Sequence, residues 1–137
     1  MGISDVMGAL NAVSARYNTL VGTGLNVPTQ HDNAPFDPPD DEVWVRFSVL
    51  NGESNQVSFG GFAKRHRTTG LAIASVYCPM GLGDDPGMQI ANFIALQFRA
   101  VSADFIHYRS PSIVSMGQDK SWWRIDVSIP YYYDLLQ

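Results

Sequence analysis

The sequence predicts an α+β domain: a single antiparallel or mixed β-sheet of about five strands with two helices packed on it, in the order α-β-β-β-α-β-β. Three observations carry the prediction. Segments rich in β-branched and aromatic residues alternate at period two in the middle and at the end of the chain. Two other segments repeat apolar residues at spacings of three and four, as a helix with one buried side does. Clusters of Gly, Pro, Asn and Asp separate these patterns. At 137 residues the whole chain, 1–137, reads as one domain, and a chain of this length buries about two-thirds of the surface that its unfolded form exposes.

The first helix follows from Met7, Leu10, Val13, Tyr17 and Leu20, which recur on one helical side. Ser4 fits its cap and Asp5 its positive first turn. A long loop or arm at residues 21–42 comes next. It is rich in Gly, Pro, Asn and Asp, and in "NAPFDPPDDE" the prolines remove ladder donors and disfavour helix. Loops of this length inside compact domains usually serve a purpose, so the arm is expected to meet a partner and to order on assembly.

"VWVRFSVL" (Val43 to Leu50) has Val43, Val45, Phe47 and Val49 on one face and Trp44, Arg46, Ser48 and Leu50 on the other. Asn51-Gly52 is a hairpin signal, "NQVSFGGFA" its return strand, and Gly60-Gly61 a bulge. "LAIASVYC" follows as a third strand, apolar on both faces as a central strand is. Asp85-Pro86 caps and opens the second helix. There Met88, Ala91, Ile94, Ala95 and Phe98 fall at helical spacing, with Ile90, Phe93, Leu96 and Val101 broadening the stripe. "DFIHYR" and "SWWRIDVSIP" are the last strands, separated by "SPSIVSMGQDK". In the final one Trp123, Ile125, Val127 and Ile129 alternate with Trp122, Arg124, Asp126 and Ser128.

Composition narrows the function classes. Charged residues make up 16% of the chain, against about a quarter in an ordinary soluble domain, so part of the surface is expected to face other protein. A net charge of −4 from 13 acids and 9 bases argues against a dedicated nucleic-acid binder, which needs a basic face. Cys78 is the only cysteine, which rules out an internal disulfide and a Cys-rich metal centre and fits a reducing compartment. "MGISDVMGAL" lacks the flank and core of a signal peptide, and no apolar run approaches the ~20 residues that span a bilayer. The chain is expected to be cytosolic at synthesis.

Within "GGFAKRHRTTG", Lys64, Arg65 and Arg67 surround His66. A phosphate loop needs G-x-x-x-x-G-K-S/T between a strand and a helix; here the glycines precede the bases and a strand follows. Two readings remain: a solvated hairpin tip, or an electrostatic contact with Asp40, Asp41 and Glu42 of a neighbouring copy. Asp37, Asp40, Asp41 and Glu42 match no calcium-loop spacing, and loop solubility accounts for them. Cys78 and the histidines His31, His66 and His107 come with no nucleophile signature such as G-x-S-x-G. His107 reads as a strand residue. No catalytic, cofactor-binding or metal residue is nominated, and no enzyme activity is expected. Trp122, Trp123, Tyr131, Tyr132 and Tyr133 fit core, protein interface or, less well beside Asp126 and Asp134, a stacking platform for bases.

Taken together, the layout resembles the tail terminator-like proteins of long-tailed bacteriophages. The resemblance rests on the amphipathic first helix, "PFDPPDDEVWVRFSVL", "FGGFAKRHRTTGLAIASVYCPMGLG", the helix after Asp85 and the ending "IHYRSPSIVSMGQDKSWWRIDVSIPYYY". Its most telling parts are R-x-x-G before a strand ending in aromatic-x-P-x-G-x-G, Arg67 to Gly83, and the closing W-W-R-I-x-V-S-I-P-Y. The resemblance implies a non-enzymatic virion protein without cofactor. Such proteins form a hexameric ring on the head-proximal end of the tail tube, stop tube polymerisation and present the surface for head joining. The implied partners are other copies of itself, the tail tube protein and a head-tail connector or neck protein, with DNA passing through the lumen unbound. The implied location is the virion tail, after assembly in the host cytoplasm. Another neck or tail-completion protein, and a small nucleic-acid-binding module, are the alternatives. The family offers no active-site residues to transfer, so the interface residues are nominated on physical grounds: Lys64, Arg65, His66, Arg67, Asp40, Asp41, Glu42, Trp122, Tyr131, Tyr132 and Tyr133.

Overall fold

Two helices lie on one face of a seven-stranded sheet in a computed structural model that describes residues 6–22, 24–25, 27–32, 34–39, 42–56, 65–81, 85–103 and 105–136. Helix α1 spans Val6–Tyr17 and runs into a π-helical turn, Asn18–Gly22. Strands β1 (Thr29–His31), β2 (Trp44–Gln56) and β3 (Arg65–Pro79) follow, then helix α2 (Asp85–Phe98). The chain closes with β4 (Ser102–Ala103), β5 (Ile106–Tyr108), β6 (Ser112–Asp119) and β7 (Trp122–Leu136). The sheet order is β1-β2-β3-β7-β5-β4, and β6 also pairs with β7. All pairs are antiparallel except β1 with β2.

Alternation along the strands builds the core. Val45 and Phe47 of β2, Ala72, Ala74, Val76 and Cys78 of β3, and Ile125, Val127, Ile129, Tyr131 and Tyr133 of β7 are all buried with the helices. In α2, Ala91, Ile94, Ala95 and Phe98 are fully buried, as their spacing predicts, whereas Leu96 is exposed, so the apolar stripe stops short of that side. Gly87 sits against the Cys78 sulfur with no room for a Cβ, which lets the first turn of α2 rest directly on β3. In α1 the buried residues are Ala9, Val13 and Tyr17, continued by Val21 in the π turn. Met7, expected on that side, is 70% exposed.

The Tyr17 ring stacks on Phe47 at 4.2 Å, and its hydroxyl lies 2.9 Å from the Thr29 Oγ1. This contact ties the end of α1 to β1. Burial pushes the Tyr17 phenol up to about 12. Arg16 joins the two helices: its Nε and Nη2 donate to the Gln97 carbonyl at 3.2 and 2.6 Å, and its guanidinium lies over Phe98 and Tyr108. A cation there meets the negative end of α2 and its unpaired carbonyls.

Four expectations need correction. Asn51-Gly52 does not turn the chain: β2 continues through it to Gln56, with a register shift between Asn51 and Ser54. Consequently β2 pairs directly with β3, from Trp44 opposite Tyr77 to Gln56 opposite His66, and no separate return strand stands between them. Of that expected strand, Asn55 and Gln56 belong to β2, while residues 57–63, including Gly60-Gly61, lie outside the described residues. The arm at 21–42 is not all loop, since β1 lies within it, parallel to β2. Finally, "SPSIVSMGQDK" holds β6 instead of a connection, and β7 extends through the three tyrosines to Leu136. The sheet therefore has seven strands, roughly consistent with the expected count of about five, and the α+β class with two helices packed on a mostly antiparallel sheet stands as expected. The Ser4 cap and Asp5 fall outside the described residues.

Candidate protein-interaction face

The sheet has helices on one side only, and period-two alternation assigns a second set of side chains to the other side. Pairing aligns this set in rows across β2, β3 and β7: Trp44, Tyr77 and Arg124; Arg46, Ser75 and Asp126; Ser48, Ile73 and Ser128; Leu50, Leu71 and Pro130. Farther along, Thr69 stands opposite Tyr132 and Arg67 opposite Asp134.

One end of this face is aromatic. Trp44 and Tyr77 stack at 4.3 Å with planes 10° apart. Trp122 meets Trp44 edge-on at 5.9 Å, and Phe36, carried by the arm, tilts over Trp44 at 5.3 Å. Such offset and edge contacts suit the ring quadrupoles. Beside them, Arg124 donates from Nε and Nη2 to the two Asp126 oxygens, both at 2.8 Å, and reaches Asp119 at 3.5 Å. This two-point bond to Asp126 raises Arg124 above the ordinary arginine range. Burial raises the Tyr77 phenol, against the lowering influence of the Arg46 and Arg124 charges. A cavity of about 290 Å³ opens here, lined by Pro38, Trp44, Arg46, Tyr77, Asp119, Lys120 and Trp122. Trp44 is 6% exposed, and its indole N–H is buried without an acceptor among the described residues.

The other end is cationic. Arg67 binds Asp134 through Nε and Nη2 at 3.0 and 3.4 Å, and the hydrogen bond to Asp134 raises its pKa. Its guanidinium lies 4.7 Å from the Tyr132 ring centre, and that of Arg109 lies 5.1 Å from the same ring. His107 stacks on Tyr132 at 4.8 Å and shares a 2.9 Å hydrogen bond with Ser102. Tyr132 thus gathers two arginines and a histidine around one electron-rich ring. The two ends are separated along β3 by the run from Arg67 to Tyr77, about 33 Å of extended chain.

Strand β6 forms an edge beside this face. Its outer side pairs with no described strand, and Val114 and Met116 stand 51% and 54% exposed on it. Its one charged residue is Asp119. Edges of this length are ordinarily guarded by charge, proline or a bulge; β6 has a register shift between Ser115 and Gly117 and little charge.

The nominated residues divide accordingly. Trp122 lies at the aromatic end and Tyr132 at the cationic end, with His66 and Arg67 on β3. Glu42 is exposed just before β2. Arg65 opens β3; Lys64, Asp40 and Asp41 lie outside the described residues. Tyr131 and Tyr133 face the helices instead, 1% and 0% exposed. Their hydroxyls donate to the Leu50 carbonyl at 3.0 Å and to Asn51 Oδ1 at 2.8 Å. Neither side chain is available to a partner of the folded chain. Sequence reasoning passed over Arg46, Lys120, Arg109, Val114 and Met116. The alternation of "VWVRFSVL" already set Trp44 and Arg46 on the second face, whereas nothing local marks Arg109 or the β6 pair.

Among the described residues no group of three or more His, Cys, Asp or Glu is placed to hold a metal ion, and no helix is long and apolar enough to cross a membrane. Comparison with known proteins adds three findings. A family model described as phage tail terminator protein matches residues 9–131. A solved structure that carries no functional description is similar in fold, with a TM-score of 0.65 and 17% sequence identity over 90% of this chain and 94% of its own. No curated protein matches the chain.

Proposed function

The chain belongs to the phage tail terminator family, and from that membership we propose that it forms a ring on the head-proximal end of the tail tube. The family is a structural one of the phage tail, not a family of enzymes. In the proposed role the ring, a hexamer, stops tube polymerisation, offers the surface to which the filled head joins, and lets DNA pass through its lumen unbound. Its partners are then copies of itself, the tail tube protein and a head-tail connector or neck protein, met in the host cytoplasm and kept in the virion.

The observation that carries this reading is the family match along nearly the whole chain. The geometry is in keeping with it. A ring needs heterologous contacts, in which one patch of a subunit meets a different patch of the next. The helix-free face carries two unlike ends, and β6 offers an edge with little charge. Lys64, Arg65 and Arg67 on this reading meet an acidic surface of a partner or of an adjacent subunit.

Light scattering of the purified protein at several concentrations and salt levels tests the proposal. A sixfold mass supports the ring. A monomer that purified tail tubes also fail to recruit overturns it. Replacing Arg65 and Arg67 by Glu should block assembly while circular dichroism still reports a folded chain. Recruitment by isolated heads in place of tubes would favour a different neck or completion role.

A further inference from the structure

We propose that the cavity at the aromatic end binds an extended, acidic, proline-containing segment, and that a second copy of this chain supplies it through residues 35–42, "PFDPPDDE". The source of the segment rests on the ring reading; the chemistry of the cavity does not. Its walls are the faces and edges of Trp44, Tyr77 and Trp122. Flat aromatic walls of this kind accept proline rings, which arrive already extended and lose little entropy on docking.

The polar groups at the cavity are mostly donors. Arg46 lies over the Tyr77 ring, and neither Arg46 nor Lys120 has a carboxylate partner among the described residues. The carboxylates nearby, Asp119 and Asp126, are both engaged by Arg124. An occupant that brings carboxylates beside prolines satisfies all of these groups. The chain's own arm illustrates the fit, for Phe36 lies on Trp44 and Pro38 forms one wall. That wall still leaves about 290 Å³ unfilled, room for more than a few water molecules. A nucleic-acid strand would also find aromatic faces and cations here, but its phosphates would meet Asp119 and Asp126 in a chain of net charge −4.

The test uses the full chain with Asp37, Asp40 and Asp41 changed to Asn and Glu42 to Gln, so that no arm competes. A dye-labelled peptide PFDPPDDE is titrated against it by fluorescence anisotropy. Saturable binding that weakens with salt is expected. Adding Arg46→Gln and Lys120→Gln should weaken binding about tenfold, since two charges are lost, with the unfolding midpoint unchanged. Absence of saturable binding overturns the proposal, as does equal binding by the Arg46 and Lys120 variant or by the peptide with its acids made amides. Displacement of the peptide by oligothymidylate overturns it in favour of nucleic acid. Light scattering of the unmodified protein, with recruitment by purified tail tubes, reports on the ring separately: a monomer that tubes fail to recruit, but whose cavity is active, refutes the ring alone.

Discussion

Replacing Gly70 by Ala tests how β2, β3 and β7 are locked together. Gly70 stands opposite Tyr131 in the β3–β7 pair. The Tyr131 ring lies across the glycine and reaches the next strand, where its hydroxyl donates to the Leu50 carbonyl at 3.0 Å. A Cβ at residue 70 would fall on the Tyr131 Cζ and hydroxyl and 2.7 Å from the Leu50 oxygen. Forcing a methyl group into such a contact costs about 1–3 kcal/mol, and losing the hydroxyl bond adds about 1 kcal/mol. Against this, alanine lowers the entropy of the unfolded chain, a gain of about 0.4–1 kcal/mol. The net expectation is a loss of about 1–3.5 kcal/mol, read from urea unfolding followed by circular dichroism. The same change in a Tyr131→Val background should cost little, because the obstacle is gone, and the double-mutant cycle should return most of the loss as coupling. Gly70→Ala within about 0.5 kcal/mol of the unmodified protein would refute the claim that the ring occupies that space.

Three further outcomes follow from the geometry. Tyr17 is held neutral by burial, so its folded pKa of about 12 lies above the ordinary 10.0; the associated stability is fully present below pH 10 and lost as pH rises toward 12. That shift corresponds to roughly 3 kcal/mol, and Tyr17→Phe should flatten the alkaline loss in unfolding titrations run across this range. Arg16→Ala removes the donors to Gln97 and the contact with Phe98 and Tyr108, and should cost about 1–3 kcal/mol in the same assay. Val114→Lys with Met116→Lys should leave monomer stability within about 0.5 kcal/mol while reducing the mass seen by light scattering; unchanged mass would show that the β6 edge plays no part in association.

Much of the fold was legible because long, strongly periodic segments leave few alternatives. The buried side of α2 and the alternation of β3 and β7 are of this kind. What escaped has identifiable physical causes. Asn51-Gly52 reads locally as a turn, but its residues serve tertiary contacts: Asn51 accepts from the Tyr133 hydroxyl, and Gly52 lies against the Thr69 backbone, where a Cβ would not fit. The shift in register absorbs the turn signal. Strand β6 escaped because an edge strand is half-solvated and its side chains carry no clean alternation; its burial runs irregularly from Ser112 to Asp119. The three tyrosines, by contrast, could have been sorted. Extending the alternation of Ile125, Val127 and Ile129 by two steps assigns Tyr131 and Tyr133 to the core and Tyr132 to the open face. The cavity escaped because it unites Pro38, Arg46, Tyr77, Lys120 and Trp122 from distant parts of the chain, and only the strand pairing brings them together.

The position of β7 has a consequence for the order of events in the cell. It is synthesised after every other described strand, yet it is the inner strand with which β3, β5 and β6 all pair. A growing chain can form the β2–β3 pair and α2 early, but the sheet closes only when β7 arrives from far along the sequence, and such long-range pairing is slow. A chain cut short before β7 lacks Ile125, Val127, Ile129, Tyr131 and Tyr133 from its core. It also lacks Trp122 and Tyr132, one from each end of the open face. On the proposed ring reading, completion of synthesis and competence for assembly are coupled through this one strand, and a subunit truncated before β7 is expected not to assemble.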